Sequence, residues 1–159
     1  MSRFIDAADR AWDLTLTSGD MRRVKSALGL YLPDMVKDQT VLAKLTNDME
    51  LLAETLLLCT QRQRESQGVD NDAFLDALNG DTIEAATNAL VLAVIDFFPP
   101  AQRRPLKAGW AATQRGMNAA SDEATAKIEA IDVEAVARAA VQSAASGKLP
   151  ASAELTPDR

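Results

Sequence analysis

The spacing of apolar positions changes character near residue 17. Before it, in "AWDLTLT", Trp12, Leu14 and Leu16 alternate with Asp13, Thr15 and Thr17, the period of two expected of a strand with one buried face. The upstream run "RFID" can pair with this segment across "AADR", so a short β-hairpin is predicted over 1–17. Two strands alone are marginal in water, and Trp12 must therefore pack on helices or on a partner's strand.

From Ser18 onward the spacing is three to four. Ser18 is placed to cap a helix with Met21, Val24 and Leu28 on one face, Arg22, Arg23 and Lys25 elsewhere, and Gly29 at its end. Pro33 breaks "LYLPDMVKDQTVLAKLT" into one or two short helical turns. Asn47 or Asp48 then starts a strong helix to about Gln67, with Met49, Leu52, Leu56, Cys59 and Gln63 along one stripe. Leu51, Leu57 and Leu58 widen that stripe to most of the circumference, which marks this helix as central.

After Gly68, Asp70 or Asn71 caps a short helix that turns Phe74, Ala77 and Leu78 inward and ends at Gly80. The next helix opens on Asp81-Thr82-Ile83-Glu84, read as a capping box, and buries Ile83, Ala86, Leu90, Val94 and one of Phe97 or Phe98. Adjacent helical positions lie ~100° apart, so the other phenylalanine is left for a different element or subunit. Pro99 and Pro100 stop the helix.

Beyond them Leu106, Trp110, Thr113, Met117, Ala120, Ala124, Ile128 and Ile131 recur at helical spacing, interrupted by Gly109 and Gly116. Pro105 suits the first turn of this long helix, which puts the start near Ala101 to Arg104 and Arg103 and Arg104 on an exposed corner. A last, alanine-rich helix is expected from about Val133 to Ala145.

The predicted fold class is mainly α: an irregular bundle of about five to seven helices preceded by a short N-terminal β-hairpin. The expected organisation is one domain over 1–146, with a hairpin (1–17), a helical core (18–100) and a long helix plus terminal helix (101–146) able to project as an arm. A flexible tail follows over 147–159.

Composition narrows the chemistry. The 159 residues suit a single domain with a core of its own. A net charge of −6, from 17 basic and 23 acidic residues, sets the overall field against non-specific nucleic-acid binding. There is no histidine, which removes the commonest general base and zinc ligand. The single cysteine, Cys59, sits in "LLLCT" and reads as a small buried hydrophobe.

"DNDAFLDALNGD" superficially resembles a calcium loop, but Phe74 takes an early ligand position and the glycine is misplaced. No phosphate loop, nucleophile elbow or paired-cysteine motif occurs, so no enzyme, cofactor, metal or catalytic residue is expected. The longest apolar run, "ALVLAVI", is far short of a membrane span, and a soluble cytoplasmic protein is expected.

Two basic clusters, "MRRVK" and "QRRPLK", read first as solvated helix faces. Trp12, Phe97, Phe98, Arg103, Arg104 and Trp110 remain as candidate partner-binding residues.

Taken in order, "AWDLTLTSGDMRRVKSALGL", the leucine-rich helix ending in Cys59, "GVDNDAFLDALNGDTIEAATNAL" and "DFFPPAQRRPL" resemble successive blocks of the tail assembly chaperones of long-tailed bacteriophages and prophages. The resemblance covers roughly residues 3 to 110. It implies a non-enzymatic protein of the host cytoplasm that binds the phage tape measure protein, helps recruit tail tube protein, and oligomerises, with no membrane or nucleic-acid partner. Val69, Phe74, Gly80, Asp81, Asp96, Phe97, Phe98 and Pro99 carry over as framework positions. Two other readings are a structural virion component, such as a connector or tail accessory subunit, and a small helical DNA-binding regulator using "MRRVK".

Overall fold

The computed structural model describes residues 2–129. Strands β1 (Ser2–Ile5) and β2 (Ala11–Leu14) form an antiparallel hairpin in which Phe4 faces Trp12 and Ser2 faces Leu14. Alternation sends Ser2, Phe4, Trp12 and Leu14 inward and leaves Arg3, Ile5 and Asp13 outside. Its turn is built around Asp6, whose amide donates to the Arg10 carbonyl and whose carboxylate accepts from the Arg10 amide, while Asp9 takes the left-handed conformation at φ 56°.

Six α-helices follow among the described residues, with a 3-10 turn at Leu32–Val36 between the first two. They are α1 (Ser18–Leu28), α2 (Gln39–Asn47), α3 (Met49–Gln67), α4 (Asn71–Leu75), α5 (Gly80–Phe97) and α6 (Pro100–Glu129). The expected fold class, a helical body behind an N-terminal hairpin, is what the chain forms.

Several helix ends differ from the sequence expectation. Thr17, not Ser18, caps α1: its hydroxyl accepts from the Asp20 amide, and the Asp20 carboxylate accepts from the Thr17 amide. Three residues after Ser18 stands Met21, which cannot reciprocate, so the chain settles one residue earlier. α5 likewise starts before the predicted Asp81 box. Asn79 Oδ1 accepts from the Thr82 amide at 3.1 Å, and Thr82 Oγ1 accepts from the Asn79 amide at 2.7 Å. Gly80 is thus the first residue of α5 rather than the end of α4, which stops at Leu75.

α6 begins at Pro100 instead of Ala101 to Arg104, because the Pro99 carbonyl already accepts from the Gln102 and Arg103 amides. Pro105 therefore lies inside the helix, beyond its first turn, at the cost of one backbone bond. Gly29 ends α1 as expected, and Gly68 ends α3, at φ 66° and 67°, in the left-handed conformation that glycine adopts without strain.

The core joins the buried sides of α3 and α5 to the hairpin. Leu52, Leu56 and Leu57 of α3 meet Ala86, Leu90 and Val94 of α5, and Phe4, Trp12, Leu14 and Phe74 close over them. Each leucine, valine or phenylalanine among them contributes ~1.5–3 kcal/mol by leaving water. Met49, expected on the inner stripe of α3, is half exposed at the first position of that helix. Thr55 and Thr60 are buried instead, their hydroxyls donating to the Leu51 and Leu56 carbonyls.

The chain divides into two units, Met1–Ala111 and Ala112–Arg159. The first contains the hairpin, α1 to α5 and the opening turns of α6. The second is described along α6 as far as Glu129, where Met117 is exposed. The helix expected over Val133 to Ala145 and the tail over 147–159 lie outside the described residues.

Candidate functional site

The six candidate partner-binding residues do not converge. Trp12 is fully buried under the hairpin, its ring edge-on to Phe74 with centroids 5.0 Å apart and its indole N–H donating to Asp6. It is a core residue and offers a partner no surface.

The other five lie along the α5–α6 corner and its return. Of the two phenylalanines, Phe98 is the buried one and carries Lys37 over its ring at 5.2 Å, whereas Phe97 is 41% exposed. Arg103 is not the exposed residue that the proline pattern suggests. Its guanidinium donates to the Asp96 carbonyl at 2.8 Å and to the Phe98 carbonyl at 3.1 Å, and stands 3.7 Å from the Asp96 carboxylate. These are the orphan carbonyls at the end of α5, so Arg103 works as a C-terminal cap reaching back across the turn.

Lys107 adds an ion pair to Asp96 at 2.7 Å, and the Trp110 indole donates to Asn88 Oδ1 at 2.8 Å. Three side chains on successive turns of α6 thus tie its opening turns back along α5, and Trp110 is half-buried against the core. Arg104 is the arginine that faces solvent.

Sequence reasoning passed over Asp6 and Arg64, and placed Gln63 on the inner stripe of α3 without assigning it a partner. Asp6 is buried and accepts from the Ala8 and Arg10 amides, the Arg10 Nε and the Trp12 indole. Burial alone pushes its carboxyl up. The hydrogen bonds, led by that of Trp12, outweigh burial and hold it below the ordinary value. Gln63 reaches from α3 to the outer edge of β2, accepting from the Asp13 amide at 3.0 Å and donating to the Ala11 carbonyl at 2.9 Å.

Arg64 is only 5% exposed. It donates to Asn71 Oδ1 and the Leu57 carbonyl, and its guanidinium lies 5.5 Å from the Phe74 ring. Burial lowers its pKa, while the nearby Glu65 and Asp70 charges oppose that effect. A signal for Arg64 was available: it falls one turn after Thr60 and two after Leu57 on the inner face of α3.

Arg64 also lines an open groove of about 760 Å³ between the second half of α3 and the start of α4. Leu57, Leu58 and Val69 supply its apolar lining, and Glu54, Glu65, Asp70 and Asp72 stand exposed around it. These carboxylates form no ion pair among the described residues and do not converge as a metal site would.

The Cys59 thiol is pushed up to about 12, chiefly by burial and further by the Asp20 charge, with Arg23 opposing. No helix among the described residues is long and apolar enough to cross a membrane. Comparison with protein-family models, curated proteins and solved structures finds no match.

Proposed function

We propose that this protein is a non-enzymatic tail assembly chaperone of a long-tailed phage or prophage, acting in the host cytoplasm. It binds the tape measure protein and assists tail tube assembly through apolar helical surfaces. The resemblance of the four sequence blocks supports the reading. The structural observation that carries it furthest is Phe97, an aromatic ring 41% exposed at a corner otherwise fixed by Arg103 and Phe98. A corner that presents one apolar ring, with Arg104 facing solvent in the first turns of the next helix, suits the capture of amphipathic helices. Tape measure proteins are long helical chains whose apolar stripes would aggregate before assembly, and a helical binder covers them.

Co-expression with a tape measure protein of a long-tailed phage tests the proposal. The expected result is a soluble complex, with the protein absent from finished virions. Stoichiometric recovery from purified particles would instead identify a structural virion component.

A further inference from the structure

The groove between α3 and α4 has a shape and charge that the corner at Phe97 does not share. Its α3 side is formed by Glu54, Leu57, Leu58, Gln61 and Glu65, one face of a helix running about three turns, or ~16 Å. Leucines lie along the middle and carboxylates stand at both ends. The α4 side brings Asp70 and Asp72, so four acids surround an apolar strip. Within it Arg64, 5% exposed, is held by Asn71 Oδ1 and the Leu57 carbonyl, so its guanidinium is fixed in the wall and leaves the rim acidic.

We propose that this groove seats a cationic amphipathic helix of a partner protein. The partner's apolar stripe lies on Leu57, Leu58 and Val69, and its Lys or Arg side chains meet Glu54, Glu65, Asp70 and Asp72. This rests on the chaperone reading only in that the tape measure protein would supply such a helix.

A helix fits better than an extended strand. The groove is walled by side chains, and a strand laid there would leave its backbone groups unpaired. A single cation fits worse, because the carboxylates are spread along the rim and do not gather round a point. Lysines at helical spacing on both sides of an apolar stripe match that spread.

Two synthetic peptides of about 18 residues, long enough to hold helical structure on binding, test the groove with the full chain by fluorescence anisotropy. One has leucines at i, i+3, i+4 and i+7 with lysine elsewhere; the other has glutamate in place of lysine. The lysine peptide should bind at least about tenfold tighter, and its affinity should fall as salt rises. The triple variant Glu54→Lys, Glu65→Lys, Asp72→Lys changes only exposed side chains and should keep the wild-type melting curve. It should bind the lysine peptide at least about tenfold more weakly and reverse the preference.

Equal binding of both peptides, or unchanged binding by the folded triple variant, would overturn the groove as the seat. So would self-association of the wild type through this face that blocks the peptide, since a second copy would then be the occupant. The two proposals fail separately. If the triple variant loses the lysine peptide but retains the tape measure protein as well as the wild type does, the groove stands as a seat for another cationic helix and the chaperone reading rests on the Phe97 corner. If the wild type seats the lysine peptide but retains no tape measure protein, the groove stands without that reading.

Discussion

The indole N–H of Trp12 donates to Asp6 Oδ2 at 2.9 Å in the interior, and three further N–H groups converge on the same carboxylate. One acid therefore closes the hairpin turn and anchors the hairpin's main core residue. Replacing Asp6 by Ala leaves those donors unpaired and should cost about 3 kcal/mol or more in urea unfolding.

The pH dependence of Asp6 has a defined sign. Its folded pKa lies below the ordinary 3.8. The unfolded chain takes up the proton first, so the stabilisation is complete above the unfolded pKa and is lost as pH falls through the folded one. The stability gap between wild type and Asp6→Asn should accordingly be largest at about pH 6 and narrow below about pH 4. A constant gap across that range would show that the carboxylate charge is not what matters.

Gln63 presents a different kind of anchor, a side-chain amide acting as the next strand. Its two bonds satisfy the Asp13 amide and the Ala11 carbonyl on the outer edge of β2 and fix that edge to α3. Gln63→Leu should cost about 1–2 kcal/mol. Hydrogen exchange at the Asp13 amide should accelerate well beyond that at amides in the centre of α3. Unchanged exchange at Asp13 would remove Gln63 as the anchor.

The legible part of this fold was the part written in period. The alternation around Trp12 and the leucines of α3 were enough to place the hairpin and the central helix. What escaped were choices between neighbouring polar residues. Thr17 against Ser18 turns on which partner three residues away can return a hydrogen bond, whereas at α5 both Thr82 and Glu84 could do so and the chain pairs Asn79 with Thr82. Arg64 and Arg103 escaped for a tertiary reason. Each reads as a solvated charge in its own helix and is claimed by groups from the next turn of chain: Asn71 beyond Gly68, and the carbonyls of Asp96 and Phe98 across the prolines. The groove is likewise a product of two helices meeting, and periodicity within either one does not show it.

Cys59 should be inert while the protein is folded. With its pKa pushed up to about 12, the thiolate fraction at about pH 8 is ~10⁻⁴. Modification by a disulfide reagent should run about a thousandfold slower in the native protein than in denaturant. Rapid labelling of the native state would show that this thiol is opened to solvent by local motion.

The adjacent phenylalanines separate stability from binding. Phe98 is buried beneath Lys37, so Phe98→Ala should cost about 3 kcal/mol or more. Phe97 is substantially exposed, and Phe97→Ala should change stability by no more than about 0.5 kcal/mol. If the corner meets the client helix, Phe97→Ala should nonetheless lower recovery of the tape measure protein in a pull-down. Full recovery with this variant would remove Phe97 from the contact surface.

The neighbouring arginines should divide in the same way. Arg103 holds the final carbonyls of α5, and Arg103→Glu would bring a carboxylate against those oxygens and against Asp96. The expected loss is about 1–3 kcal/mol, seen as a lower melting temperature. Arg103→Lys should recover only part of it, because an ammonium cannot reproduce the guanidinium's two donors in one plane. Arg104 faces solvent, and Arg104→Glu should leave the melt within about 0.5 kcal/mol of wild type. A double Arg103→Glu, Arg104→Glu variant would therefore confound folding with binding, and only the single Arg104→Glu exchange reports on a partner at this corner. If Arg103→Glu proves as neutral as Arg104→Glu, the cap across the prolines does not hold α5 to α6 in solution.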